Sequence, residues 1–334
     1  MTQERVRWAV VGTGGIARRT IGDLRLCENA DVVAVCSRRQ ESADEFARDS
    51  GIPRAYGDFT DLCDDGGVDA VYIGTPHGTH VHYAERAIRA GKSVLCEKPL
   101  TMTAAEAIEL EGLAEAHGVF LMEAMWMKFS PSMRHAIELV EAGEIGEPRF
   151  VQAGLGYPVP PDGPQRFWVA QLGGGALFDM GVYTIALAHL FLGIPDEVRA
   201  FGSIRDDGVD LYEGVTLSYG SGGLAQLTTS ITFLIPPLGS LGGTEGSIAF
   251  GEPLFSPNSL QVAKGRPPNP PTIDQLEFQR EGAGYVPMFR AAGDAILAGE
   301  SQHPLHPVAA TVDVLRTMEL VRDRLIAQRD AAGD

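Results

Sequence analysis

Cysteine is scarce in this chain, with four in 334 residues, and none sits in a CxxC pair. That excludes a disulfide framework and a cysteine-rich metal site, and leaves Cys27, Cys36, Cys63 and Cys96 as small apolar residues suited to a reducing compartment. Positive charge is scarce too: 27 Lys and Arg stand against 44 Asp and Glu, a formal net charge of −17. A surface of that sign repels nucleic acid and anionic lipid, which argues against both as partners, while a nucleotide needs only a local positive pocket. No stretch reads as the ~18 consecutive apolar residues of a membrane span. Nothing in Met1–Arg7 resembles a signal peptide, and the apolar run Trp8–Val11 stops at a glycine. The expectation is a soluble, cytoplasmic protein. Its apolar and charged fractions, 44% and 21%, are those of a globular chain, and its length suits two domains.

What is present is a rhythm. Short apolar runs at Val6–Val11, Val32–Cys36, Val68–Ile73, Ser93–Cys96 and Val119–Met122 alternate with helical patterns at Gly15–Cys27, Glu41–Ser50, Tyr83–Ala90 and Ala104–His117. Strands alternating with amphipathic helices predict βαβ units and a doubly wound parallel sheet covered on both faces. Past residue 123 the rhythm changes. A helix over Pro131–Ala142, a strand around Arg149–Leu155, a Pro/Gly-rich loop Tyr157–Pro164 and a helix Ala176–Leu192 precede strand-like runs from Glu197 to Phe278. No helical crossover separates those runs, so a mostly antiparallel open sheet is expected. Arg266–Pro271 reads as a loop, and helices near Val286–Ala298 and Val308–Gln328 finish the chain. The fold class is α/β: a Rossmann domain over residues 1–123, then an α+β domain over residues 124–334.

The first strand runs into Gly12-Thr13-Gly14-Gly15-Ile16-Ala17, a GxGxxA pattern. Gly12 permits the tight turn, Gly14 lets backbone approach a pyrophosphate, and Ala17 lets the helix pack closely on the strand. The helix N-terminus then offers its unpaired amides to the phosphates. The second strand ends in Ser37-Arg38-Arg39, where an NAD site places an acid for the ribose 2′-hydroxyl. A carboxylate would repel a 2′-phosphate, whereas Ser37 can donate to it and a guanidinium can grip it, so NADP is expected over NAD. The plain alternative is two solvated arginines opening the next helix.

Strand Ser93–Cys96 delivers Glu97-Lys98-Pro99 at its carboxyl end, where open parallel sheets bind ligands. A lysine so placed can hydrogen-bond a reacting oxygen and stabilise alkoxide charge. GxGxxA, then Thr75-Pro76 with His80, then Glu97-Lys98-Pro99, at these separations, resembles the Gfo/Idh/MocA oxidoreductase family over nearly the whole chain. The resemblance implies that Lys98 is catalytic, that the Lys98–Pro99 bond is a candidate for cis geometry, and that Thr75, Pro76, His80 and Glu97 belong to the cofactor side. The helix after Gly173-Gly174-Gly175 carries Asp179 and Tyr183 at i and i+4, which share one face of a regular helix. Many members have histidine at the position of Tyr183. Tyrosine there, with Glu123-Ala124-Met125-Trp126-Met127-Lys128 before Pro131, resembles the branch of dimeric dihydrodiol dehydrogenases and NADP-dependent D-xylose dehydrogenases. The implied chemistry is hydride transfer between nicotinamide and the carbinol or carbonyl carbon of a diol, sugar or related polyol. Tyr183 then serves as acid/base, and Asp179 orients the substrate or the lysine. Dihydrodiol oxidation and aldose oxidation are not separated by these motifs. An alternative of another class is a sensor that binds the dinucleotide without turnover; a sensor has no need of Lys98, Asp179 and Tyr183 together.

Trp126, Phe167 and Trp168 are candidate walls for a ring-shaped substrate, or else packing residues. His77, His80 and His82 form HxxHxH, but on one helix His82 points away from the other two, so no metal is expected. His80 is placed near the nicotinamide and the other two in solvent. His189, in an apolar stretch, reads as a core histidine. The resemblance also implies a homodimer or homotetramer formed through the C-terminal sheet.

Overall fold

The computed structural model describes residues 4–265, 268 and 270–333. Half of the expected loop at 266–271, residues 266, 267 and 269, therefore lies outside the described residues. The chain forms two compact units: Met1–Trp126 with Arg280–Val312, and Met127–Gln279 with Asp313–Asp334.

In the first unit the strands β1 (Val6–Val11), β2 (Ala30–Cys36), β3 (Arg54–Tyr56), β4 (Ala70–Ile73), β5 (Ser93–Cys96) and β6 (Leu121–Glu123) alternate with α1 (Gly15–Leu26), α2 (Gln40–Ser50), α3 (Phe59–Asp64), α4 (His80–Arg89) and α5 (Ala104–His117). All pairings are parallel, in the order β3-β2-β1-β4-β5-β6. Every residue of β4 and β5 is buried, the signature of a sheet covered on both faces. Local signals set the helix ends. Thr103 and Glu106 form a reciprocal capping box at the start of α5, and Gly118 closes it with φ +63°. Neither β3 nor α3 shows a period in the sequence: one is three residues long, and the other is a six-residue helix started by the Asp58 carboxylate on the Thr60 amide.

The return segment completes this unit. Helix α8 (Val286–Leu297) sets Phe289 edge-on against Trp8 and Tyr72. Asp23, 4% exposed, accepts the amides of Ala283 at 2.8 Å and Tyr285 at 2.7 Å. Asn29 donates to the Arg290 carbonyl and to Asp294. Hydrogen bonds to a buried carboxylate are worth about 1.5–3 kcal/mol each, so Asp23 is a principal tether of the returning chain.

The second unit holds α6 (Pro131–Glu141), α7 (Val182–Leu192) and an eight-stranded sheet: β7 (Pro148–Gly156), β8 (Glu197–Ile204), β9 (Asp210–Ser218), β10 (Leu224–Ser230), β11 (Gly239–Gly243), β12 (Gly246–Phe250), β13 (Ser259–Lys264) and β14 (Thr272–Glu277). The order is β14-β13-β12-β11-β7-β10-β9-β8, antiparallel throughout except for β7 beside β10. Both the parallel and the mostly antiparallel sheet agree with the expected architecture. The last helix, α9, runs Val308–Gly333. Gln328, near its end, bonds the backbone of Gly202 in β8.

Two expectations are corrected here. Ala170–Leu192 is helical stretch enough, and apolar enough, to pass the length and composition test for a membrane span, although none was expected; most of it is buried within the protein, as in a core helix. Nor is the stretch regular. Leu177–Gly181 is a π-turn, with the Val182 amide reaching back to the Leu177 carbonyl, before α7 proper begins.

His189 on α7 bonds Thr317 at 2.9 Å, and burial, then the nearby Lys128, lower its pKa from 6.5 to about 4. The folded state thus resists a proton that the unfolded chain accepts. The corresponding stability is complete above pH 6.5 and is lost as pH falls toward 4, by about 2–3 kcal/mol. Urea midpoints measured across that window should fall for the native chain and fall less for His189→Gln; parallel curves would remove His189 as the cause.

Candidate active site

In the parallel sheet the strand order reverses about β1, between β2 and β4, and the crevice beyond the carboxyl ends of such strands is where ligands bind. Gly12 has φ +104°, and a Cβ there would lie 2.8 Å from the Gly74 carbonyl oxygen and 3.3 Å from Thr75 Cγ2. The two loops meet because Gly12 lacks a side chain. Gly14 and Gly15 differ: a Cβ on either would meet nothing in the protein. Their bareness leaves room for something outside the chain. Gly14 starts α1 without a side-chain cap, and the first turn holds no acidic residue, so its amides and positive dipole end face an anion unopposed. Ile16 packs on Gly74, and Ala17 is fully buried. These features fit a dinucleotide pyrophosphate.

At the end of β2, Ser37 Oγ lies 3.3 Å from Thr13 Oγ1. Arg38 and Arg39 are exposed. Arg39 folds onto its own helix, donating to Ser42 at 3.0 Å, while Arg38 makes no side-chain hydrogen bond among the described residues. Beyond β4, Thr79 donates to Thr75 Oγ1 and to the Pro76 carbonyl, closing that turn. The His80 ring is fully buried between the Thr75 carbonyl at 2.9 Å and the Pro99 carbonyl at 2.8 Å. It is a strut joining the turn after β4 to the turn after β5. His77, expected in solvent, is instead buried edge-on against His80 at 5.7 Å, while His82 is exposed. Among the described residues no group of three or more His, Cys, Asp or Glu could hold a metal.

The Lys98–Pro99 peptide is cis, as the resemblance implies. Lys98 is 8% exposed at the tip of β5. Glu97 accepts from the buried Tyr72 hydroxyl at 2.6 Å, and burial raises its pKa. One strand over, Glu123 accepts the Leu100 amide at 2.9 Å and bonds His306 at 2.8 Å and Thr311 at 3.2 Å. The backbone that follows Lys98 is therefore gripped from both sides, by His80 and by Glu123. Trp126 is 6% exposed and lies flat on Tyr285, with centroids 4.0 Å apart.

In the second unit Asp179 sits within the π-turn. Its Oδ1 accepts from Arg166 Nη1 at 2.8 Å and its Oδ2 from the Tyr157 hydroxyl at 2.9 Å. Burial, and then Asp179, hold the Tyr157 phenol well above its usual pKa, so it stays a donor. The Arg166 guanidinium stacks 3.8 Å over Phe167, itself 4% exposed. Trp168 is half-buried and donates to the Pro160 carbonyl at 2.9 Å. Tyr183, 7% exposed, is the second residue of α7 and lies beside Phe255, with ring centroids 5.6 Å apart. Tyr157 and the clamp it forms with Arg166 were missed in the sequence, because both lie in loop segments without periodic pattern.

The description "Oxidoreductase family, NAD-binding Rossmann fold" matches residues 6–125, and "GFO/IDH/MocA C-terminal domain" matches residues 133–249. The chain belongs to the Gfo/Idh/MocA oxidoreductase family. Trans-1,2-dihydrobenzene-1,2-diol dehydrogenase of Mus musculus is 35% identical over 98% of this chain and 97% of its own length, and that of Homo sapiens 32% over the same shares. Among solved structures, a 3-ketoreductase from Actinomadura kijaniata in complex with NADP and TDP-benzene has a TM-score of 0.80 at 31% identity, covering 95% of this chain and 96% of its own. Aldose-aldose oxidoreductase from Caulobacter crescentus, complexed with glycerol, has a TM-score of 0.86 at 25% identity, covering 97% and 98%. This Gfo/Idh/MocA protein is accordingly an NAD(P)-dependent dehydrogenase or reductase acting on CH–OH groups.

Proposed function

We propose that this enzyme uses NADP to interconvert a secondary or anomeric alcohol with its carbonyl, on a vicinal diol, sugar or related polyol. The observation that carries the reading is the polar framework just described: a buried lysine at a cis-proline turn in one unit, and in the other a tyrosine following a carboxylate clamped by Arg166 and Tyr157. The names of the relatives support the substrate class, since a dihydrodiol, an aldose and a keto sugar all present a ring with neighbouring oxygens.

When bound, the nicotinamide supplies the hydride acceptor or donor. Gly12, Thr13, Gly14, Gly15, Ile16 and Ala17 hold the pyrophosphate end, with the open amides of α1 providing the charge match. Ser37 and Arg38 receive the 2′-phosphate, with Arg39 beside them. Thr75, Pro76, His80 and Glu97 shape the floor under the nicotinamide side, His80 from behind. Tyr183 gives or takes the proton on the substrate oxygen. Lys98 holds that oxygen and eases ionisation of a phenol whose free pKa of ~10 is too high for a base at neutral pH. Asp179, held in place by its two donors, orients the substrate by accepting from a neighbouring hydroxyl. Trp126, Phe167 and Trp168 wall the ring, Trp168 being the most accessible of the three.

Tyr183→Phe and Lys98→Met should each lower kcat/KM by about 10²–10⁴-fold while NADPH affinity, read by fluorescence, stays close to native. Near-native turnover in either variant removes that residue from the mechanism, and NADPH binding without turnover on diols, pentoses, hexoses and dicarbonyls would make the protein a sensor. The ratio of kcat/KM with NADP to that with NAD should favour NADP and drop by about 10–100-fold in Arg38→Ala; a native preference for NAD overturns the cofactor assignment.

We further propose a homodimer or homotetramer built on the face of the eight-stranded sheet that bears Phe201 and Tyr212. Phe201 is 72% exposed, and Tyr212 packs on Phe233 at 5.2 Å, next to the exposed Leu234. Sedimentation should give an oligomer that Phe201→Glu with Leu234→Glu converts to monomer; a monomeric native chain refutes it. Four unpaired, buried cysteines support a reducing, cytoplasmic setting.

A further inference from the structure

Beneath the segment that carries Asp179 and Tyr183 lie two acids with no part in the chemistry above. Asp210 and Glu213 of β9 are 2% and 1% exposed. Three residues apart in a regular strand, they would point to opposite faces. A bulge prevents that: Ser203 pairs with Tyr212 but Ile204 pairs with Asp210, leaving Leu211 as the extra residue. Both carboxyls are thereby turned to the covered side of the sheet.

Their surroundings are unequal. Asp210 Oδ2 accepts the Leu177 amide at 2.7 Å, at the first residue of the π-turn. Gly175, with φ +121°, comes so near that any Cβ there would overlap Asp210 Oδ1. Glu213 Oε1 accepts from the Thr229 hydroxyl and would lie 3.3 Å from a Cβ on Gly181, the last residue of the π-turn. Glu213 Oε2 is buried with no hydrogen-bond partner. Leu177, Gly181, Thr184 and Ile185 face Glu213 from above, and Val215, Leu227, Thr228 and Thr229 from its own sheet; none of these is titratable. The charged group beside it is Asp210.

Two neighbouring desolvated carboxyls do not both keep a negative charge, and the one with the stronger donor ionises first. Asp210 has the amide donor. We propose that Glu213 is held as a neutral carboxylic acid, with Asp210 the ionised cap of the π-turn, and that this pair positions Asp179 and, four residues on, Tyr183. Burial and the neighbouring Asp210 both push Glu213 well above the usual carboxylate range, while the Leu177 amide opposes the rise that burial causes at Asp210. The positioning role rests on the reading of Asp179 and Tyr183 given above; the proton on Glu213 does not.

Infrared spectra of the full-length protein at neutral pH should contain a carboxylic-acid C=O band that shifts on deuteration and is missing from Glu213→Gln. That variant keeps a neutral side chain of the same shape, so its kcat and melting temperature should stay near native. Asp210→Asn should lower kcat by about tenfold or more, through displaced side chains, with KM and NADPH affinity little changed. Identical spectra for the native chain and Glu213→Gln, or a rise in melting temperature in Glu213→Gln from relieved repulsion, would show two charges and overturn the assignment. Should Asp210→Asn melt earlier yet turn over at the native rate, the pair supports the fold alone and the positioning role is refuted. If Tyr183→Phe and Lys98→Met remain active while the band is present, the catalytic reading fails and the proton assignment stands.

Discussion

The backbone of Gly12 rests against the carbonyl of Gly74, and the first unit is organised about that contact. It brings the turn after β1 against the turn after β4 at the place where the sheet order reverses, and any side chain at residue 12 would force the two apart. The remaining pieces extend outward from it. His80 joins the second of these turns to the cis-proline turn after β5, and Glu123 fixes that turn from its other side through the Leu100 amide. Lys98 thus stands on backbone held by hydrogen bonds on both flanks rather than on a free loop, the condition a preorganised polar group requires.

In the second unit the same task is done by side chains reaching across the fold. Asp179 is fixed by donors 13 and 22 residues away in sequence, and the turn that carries it is capped by a carboxylate from a strand 33 residues on. The Leu177 amide lies in the first turn, where no helical carbonyl can reach it; Asp210 satisfies it, and Gly175 and Gly181 give the room that the two acids need.

That contrast explains what the sequence shows and what it conceals. Helix α5 is legible to the residue because its cap, its Glu106 and its closing glycine are all local. GxGxxA and Glu97-Lys98-Pro99 are local as well, and each marks a place where backbone geometry is demanded by one turn; the Asp179/Tyr183 spacing implies a regular helix, which the π-turn replaces. The short β3 and α3 offer too few apolar residues for a period to be seen. The Arg166–Asp179–Tyr157 clamp, the stacking of Trp126 on Tyr285 and the His306–Glu123 contact join residues whose separation is set by tertiary structure alone. One trace of the acid pair was visible: Asp210 and Glu213 interrupt an otherwise strand-like run, and an acid at an inward position calls for a partner.

The first unit is discontinuous, and this bears on how the chain is made. Phe289, which fills the space against Trp8 and Tyr72, and the amides that satisfy Asp23, belong to Arg280–Val312. A ribosome releases that segment only after every strand of the larger sheet. The nucleotide-binding half is therefore begun first yet closed only after the larger sheet has been made, its Trp8 face bare until then, and Asp313–Asp334 of the second unit follows it from the ribosome.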